Sequence, residues 1–241
     1  MRNARQYRGF SLVEVLLAVG TLAIGMIFIG GTFLTGIHFA TISTERTIAA
    51  VAADEAFAKI RLYGVNLTDP NLAVDQLTPL EALNTIDAEE FAYPSITSLA
   101  KKQYYWSALC RQVGSDPTNR LVQVTVFVSR KVGNSTTYPG GAQRPVPIKV
   151  GVSTVAGTGN ENKLTINLAG EEIFINGGST IVNNQTGQLY RVLQRDPVAP
   201  NIIVLDRAWL GGASSSVWVV PPPVGGGRYP CIAIYQKVIR F

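Results

Sequence analysis

Histidine and cysteine are almost missing: one His and two Cys in 241 residues. That scarcity excludes zinc fingers, iron–sulfur clusters and three-histidine metal sites, which need more ligands of those kinds, so neither a metal nor a cofactor is expected. Charge is thin as well, at 15% Asp, Glu, Lys and Arg, against about 25% in ordinary soluble proteins. With a mean hydropathy of +0.18, part of the chain should face something other than water. No G-x-G-x-x-G and no G-x-x-x-x-G-K-[ST] occurs, so nucleotide binding lacks its phosphate cradle. The sole imidazole, His38, falls in an apolar helix, far from where a general base or a triad would be built. Glu89-Glu90 and Glu171-Glu172 are paired carboxylates in sequence only, because neighbours on a strand point to opposite faces. No catalytic residue is expected, and the chain reads as a non-enzyme.

What is present is apolar residues, 46% of the chain, enough for a sizeable core and too many for a wholly disordered polymer. The 23 Gly and 13 Pro follow no period, which excludes collagen. The formal charge is +5, and Arg2, Arg5 and Arg8 supply three of those five. From Phe10 onward 18 Lys and Arg stand against 16 Asp and Glu, and Lys101-Lys102 and Arg130-Lys131 are only short pairs. No basic face and no nucleic-acid partner are expected.

The basic start runs straight into FSLVEVLLAVGTLAIGMIFIGGTFLTG, and the thirty residues from Val15 to Thr44 hold no charge other than a protonated His38. Roughly 20 apolar residues span a bilayer as a helix, and cationic flanks stay on the cytoplasmic side. A secretory signal peptide begins the same way, but its apolar region is shorter and ends at a small-residue cleavage site. Neither a signal peptide nor a plain anchor accounts for Glu14, whose carboxylate costs about 3 kcal/mol inside an apolar helix. Either it lies shallow enough to reach the headgroups, or it has a partner. If the chain is cut after Gly9, the new α-amine of Phe10 is cationic at neutral pH and able to pair with Glu14 of a neighbouring subunit, setting an axial register between helices.

Arg8-Gly9-Phe10-Ser11-Leu12-Val13-Glu14, followed by Val15-Leu16-Leu17-Ala18, closely resembles the prepilin processing signal of type IV pilins and type II secretion pseudopilins. The resemblance implies that a prepilin peptidase cuts between Gly9 and Phe10 and methylates the Phe10 amine, and that Glu14 guides docking onto other pilin or pseudopilin subunits. It implies a structural filament subunit, held before assembly in inner-membrane lipid as a single-pass protein with its N-terminus cytoplasmic and its head periplasmic or extracellular. Leu22-Ala23-Ile24-Gly25-Met26 looks more like minor pilins than major ones, and Gly30-Gly31 stands where many major pilins carry a helix-breaking Pro. The competing reading keeps the anchor and makes the head a ligand-binding or enzymatic domain that never polymerises.

The expected fold class is α+β: a long N-terminal helix, transmembrane and then amphipathic, packed on an antiparallel β-sheet head with an extra β-rich region. Residues 1–9 form the leader and 10–64 the helix, with its membrane half over about 10–36. Gly20, Gly25, Gly30, Gly31 and Gly36 suit close helix–helix approach in a membrane, and Gly30-Gly31 is the expected weak point for a kink. Ile48, Ala52, Ala56, Ile60 and Tyr63 form an apolar stripe, Glu55 and Lys59 an exposed i,i+4 pair, and Gly64 a left-handed cap.

Residues 65–101 read as a connecting loop with a short helix at Leu80–Leu83. Residues 102–156 read as the sheet, with strands at 104–110, 121–128 and 148–155; in the second, Val122, Val124, Val126 and Val128 face inward while Gln123 and Thr125 face out. Residues 157–241 read as a β-rich subdomain, with short strands at 164–168, 173–175, 180–182, 189–193, 202–205 and 217–220, then a final strand, 231–239. If that strand lies beside 104–110, Cys110 and Cys231 form a disulfide; otherwise they are two buried thiols. Trp106, Trp209 and Trp218 read as core aromatics, with carbohydrate stacking the alternative.

Overall fold

The computed structural model describes residues 11–95, 102–114, 120–132 and 137–241. Gly9, Phe10 and Lys101 lie outside them. The class is α+β, with one long N-terminal helix, antiparallel sheets and a β-rich addition. The chain divides into two compact units, one ending at Thr47 and the other spanning Ile48–Phe241. Helix α1, Leu12–Tyr63, runs through the boundary and is not broken at Gly30-Gly31. It stops at Gly64, whose φ of +75° is a left-handed conformation that L side chains rarely adopt, and whose amide closes the last turn on the Ile60 carbonyl at 3.0 Å.

In the second unit the end of α1 lies on a sheet ordered β1-β3-β4-β11, with β2 pairing the same edge of β3 as β1 does. The strands are β1 (Thr78–Pro79), β2 (Ala92–Tyr93), β3 (Tyr104–Gln112), β4 (Leu121–Arg130) and β11 (Cys231–Arg240), with a one-turn helix α2 at Leu80–Leu83. The buried helix face is Ala49, Ala52, Ala53, Ala56, Phe57 and Ile60. The expected stripe is therefore kept at Ala52, Ala56 and Ile60 and corrected at Tyr63, which is exposed. Four alanines let the helix approach closely, where it meets Trp106, Ala108 and Cys110 of β3, Val122, Val124, Val126 and Val128 of β4, and Ile239 of β11.

The opposite face of the sheet is covered too. Thr125, Phe127 and Ser129 are buried, which corrects the half-solvated pattern expected for β4. The cover is a closed six-stranded antiparallel barrel, ordered β5-β6-β9-β8-β7-β10, whose strands are β5 (Ile148–Thr154), β6 (Lys163–Ile166), β7 (Thr180–Asn183), β8 (Leu189–Arg195), β9 (Ile202–Leu205) and β10 (Ser214–Val219). Leu77, Leu109, Phe127, Val182, Trp218 and Val220 form the seam. Trp218 donates its indole N–H to Asn184 Oδ1 at 2.7 Å, and Gln236 reaches from β11 to the Gly187 carbonyl at 2.6 Å. Gly187 sits at φ +70° on this seam, and a Cβ there would stand 3.0 Å from the Gln123 amide.

Three sequence expectations are corrected by the barrel. Strand 148–155 belongs to the barrel and not to the sheet, because β10 pairs with it over six residues, from Ser214↔Ser153 to Val219↔Ile148. Residues 171–174 form a 3-10 turn in place of a strand; Gly170 enters it at φ +93° and Glu172 Oε2 accepts the Gly170 N–H at 2.6 Å. The final strand pairs with β4, not β3, placing Cys231 opposite Ser129 while Cys110 lies opposite Val124. With a whole strand between them and five residues of offset along it, Cys110 and Cys231 remain free thiols, and the expected disulfide is absent. Burial in apolar surroundings pushes the Cys110 thiol up to about 12.

Polar side chains tie the loop 65–95 to helix and sheet. The expected Glu55–Lys59 pair forms at 3.2 Å, but Lys59 is largely buried because Glu90 also binds it at 2.8 Å. Arg144, unmarked in the sequence, pairs with Glu81, donates to the Trp106 carbonyl at 3.2 Å and Ser107 Oγ at 2.9 Å, and covers the Phe91 ring at 4.1 Å. Burial lowers its pKa to about 10, which leaves it cationic at neutral pH. The hydrogen bond and charge of Lys59 hold the Glu90 carboxyl below its ordinary value, aided more weakly by Lys102. A depressed folded-state pKa contributes stability that is present above the unfolded value and lost as pH falls through the folded one. Between about pH 5 and pH 3 the thermal midpoint of the parent should therefore fall more steeply than that of Glu90→Gln. Parallel curves would remove this pair from the acid response.

Candidate assembly site

The first unit owes its helicity to a run of Leu, Ala, Met and Ile, and it opens at Ser11, whose carbonyl accepts the amides of Glu14 at 3.0 Å and Val15 at 3.1 Å. Glu14 occupies the first turn, where the helix dipole favours a negative charge. Its carboxylate is exposed and has no partner among the described residues. Sixteen large apolar side chains, from Leu12 to Phe39, are exposed around this half of the helix. Each costs about 1.5 kcal/mol or more when left in water. This helix is long and apolar enough to cross a membrane.

Its polar groups are arranged for a dry setting. Thr21 and Thr32 donate their hydroxyls to carbonyls three residues back, and Thr35, Thr41, Thr44 and Thr47 to carbonyls four back, all at 2.8–3.0 Å. None needs water for its donor. At Gly20, Gly25, Gly30, Gly31 and Gly36 a Cβ would meet no described atom within 4 Å beyond the adjoining residues and the helix's own nearby backbone, so no packing contact among the described residues requires glycine there. At about 100° per residue, Ala18, Gly25, Thr32, Gly36, Ser43 and Thr47 fall within about 60° of Glu14 toward one side of the helix, a strip that Ile29 interrupts and Phe39 borders. The sequence reading noted the glycines but missed this strip, which appears only when alanine, serine and threonine are counted with them.

Of the other singled-out residues, His38 stands on this helix and the rest belong to the second unit. His38 is exposed on the helix with only the neighbouring Phe39 ring beside it, 6.2 Å away. Glu90 is held by Lys59, and Glu172 caps its own turn. The three tryptophans are buried, Trp106 in the helix–sheet core, Trp209 inside the barrel and Trp218 in the seam, as expected of core aromatics. Among the described residues no three His, Cys, Asp or Glu side chains are grouped closely enough to hold a metal ion.

The geometry offers a carboxylate at the head of an apolar rod, a strip of small residues below it, and no partner for the carboxylate among the described residues. Compared with models of protein families, with curated proteins and with solved structures, the chain matches none.

Proposed function

We propose that the chain is a structural subunit of a type IV pilus-like or type II secretion filament, stored in a membrane and assembled through α1. The observation that carries this reading is Glu14, a carboxylate without a partner among the described residues, in the first turn of a helix whose next thirty residues, Val15 to Thr44, contain no Asp, Glu, Lys or Arg. A simple anchor gains nothing from a group that costs about 3 kcal/mol to insert. A polymerising helix gains a specific contact, because the α-amine released at Phe10 by cutting after Gly9 neutralises Glu14 of the next subunit and fixes the axial offset between them. The small-residue strip supports the same reading, since helices in lipid associate by close packing, not by a hydrophobic effect. Arg2, Arg5 and Arg8 orient the N-terminus to the cytoplasm, which places the sheet and barrel on the far side of the membrane.

Intact-mass and N-terminal analysis of the protein from its native cell tests this directly. The mature chain should begin at Phe10 with one methyl group on its α-amine. A chain that keeps Met1 and its arginines, or one cut beyond the apolar helix as a signal peptide would be, overturns the proposal.

A further inference from the structure

Three long stretches of the second unit contain no acid: residues 117–160, 173–195 and 207–241 hold eleven Lys and Arg and no Asp or Glu. Parts of all three meet where the sheet joins the barrel, around a cleft of about 400 Å³. Its wall includes Arg130 at the end of β4, residues 177–180 at the start of β7, and Arg228, Tyr229 and residues 231–234 at the start of β11. Among the described residues, Arg130 and Arg228 are the only charged groups on that wall, and each already has an interaction within the chain. A guanidinium carries five N–H donors in a fixed fork, so one partner does not exhaust it, and the fork matches a carboxylate.

Tyr229 also borders a second cavity, of about 470 Å³, walled chiefly by Ile173, Phe174, Pro222, Pro223 and Val224. Its hydroxyl donates to the Ile173 carbonyl at 3.0 Å, which anchors the ring between the two spaces. Glu171 and Glu172, the acids next to Ile173 in the chain, line neither cavity, and Glu172 is bonded to the Gly170 amide.

The backbone of β11 supplies a third feature. The Phe241 amide bonds the Arg120 carbonyl, and the register from Ala233↔Val128 to Ile239↔Val122 continues from that pair. Hydrogen-bonded positions alternate along an antiparallel ladder, so the amides and carbonyls of Ile234, Gln236 and Val238 point away from β4. No other strand pairs with β11 among the described residues, and this row, which begins at Ile234 on the wall of the cleft, is open to an added strand.

We propose that the cleft receives the free C-terminal end of an extended peptide. The terminal carboxylate lies on Arg130 and Arg228, the last side chain enters the apolar cavity beyond Tyr229, and the preceding backbone runs antiparallel to β11 as an added strand. A small organic acid would engage the arginines and the apolar wall; only a peptide also uses the outward row of β11. The site belongs to the second unit and stands whether or not the chain polymerises.

Fluorescence polarisation with the detergent-solubilised full-length chain tests it, using fluorescein-labelled Gly-Thr-Val-Thr-Val-Leu with a free C-terminus as the probe. This peptide should bind at least tenfold more tightly than the same peptide ending in a carboxamide. Arg228→Gln, a change at an exposed position that should leave the thermal midpoint where it is, should remove most of that difference. Replacing the terminal Leu by Gly should cost about tenfold. N-methylation of the peptide should weaken binding at one alternate set of amides and spare the other, as strand pairing requires. Equal binding of acid and carboxamide, an acid preference untouched by Arg228→Gln, methylation effects without alternation, or displacement by 4-phenylbutyrate as effective as by unlabelled peptide would each overturn the proposal. So would the absence of saturable binding up to about 1 mM peptide.

Discussion

A chain carrying Glu14→Ala should accumulate in the membrane at normal levels and be cut normally after Gly9, yet fall out of the filament by about 100-fold or more. The magnitude follows from what is left behind. Removing one member of a buried ion pair strands the other, here the α-amine of Phe10, at a cost of about 3–5 kcal/mol, and every 1.4 kcal/mol is about tenfold in an equilibrium. Glu14→Gln should be nearly as severe, because the amide fills the same space without neutralising the amine. The same variants discriminate between the two readings of the helix. An anchored binding domain has no use for the carboxylate and should keep its activity with alanine there, so incorporation within a few-fold of the parent would move the protein into that class. The readout is the ratio of sheared filament to membrane-retained chain, with cleavage followed by mass.

Trp106→Ala should lower the thermal midpoint of the detergent-solubilised full-length protein by about 10 °C. Trp106 is 1% exposed, between the α1 alanines and the sheet. Its ring lies 4.7 Å from that of Phe91 and its indole N–H reaches the Glu90 carbonyl at 2.9 Å. Truncating a buried Trp costs about 3–5 kcal/mol, since the cavity closes only partly, and for a unit of about 200 residues each kcal/mol moves the midpoint by about 2–4 °C. Trp106→Phe retains most of the volume and loses the hydrogen bond, so it should fall between. A shift under about 3 °C for the alanine variant would mean that the helix does not depend on this residue for its seat on the sheet.

The limits of sequence reading are physical. Helix α2 at Leu80–Leu83, β9 at Ile202–Leu205 and the stop at Gly64 were all legible, because each is bounded by residues whose own backbone preferences act locally: Pro79, the Pro200-Asn201 turn, and a glycine at positive φ. Glu14 was legible for the same reason, its meaning being contained in a stretch of about ten residues. Barrel closure was not, because β5 and β10 pair across some sixty residues of chain and no local pattern encodes that partnership. Phe127 was an available clue to the second buried face of β4: it stands on the same side as Gln123 and Thr125, where a solvated sheet would carry a polar residue. Cys110 and Cys231 misled because the number of cysteines is visible and the strand between them is not.

The point at which the barrel enters and leaves the sheet carries a consequence for how this head can change. Strand β4 ends at Arg130, β11 begins at Cys231, and the Arg130 amide bonds the Pro230 carbonyl at 2.9 Å, so departure and return are neighbours. Everything between them is a detour that a tight hairpin could replace without moving a ladder bond. The sheet would not accept plain excision, because Leu109 and Phe127 would then meet water. It accepts exchange: any module of suitable footprint, bringing its own greasy underside, can ride in the same socket while the rod and the sheet beneath it stay as they are.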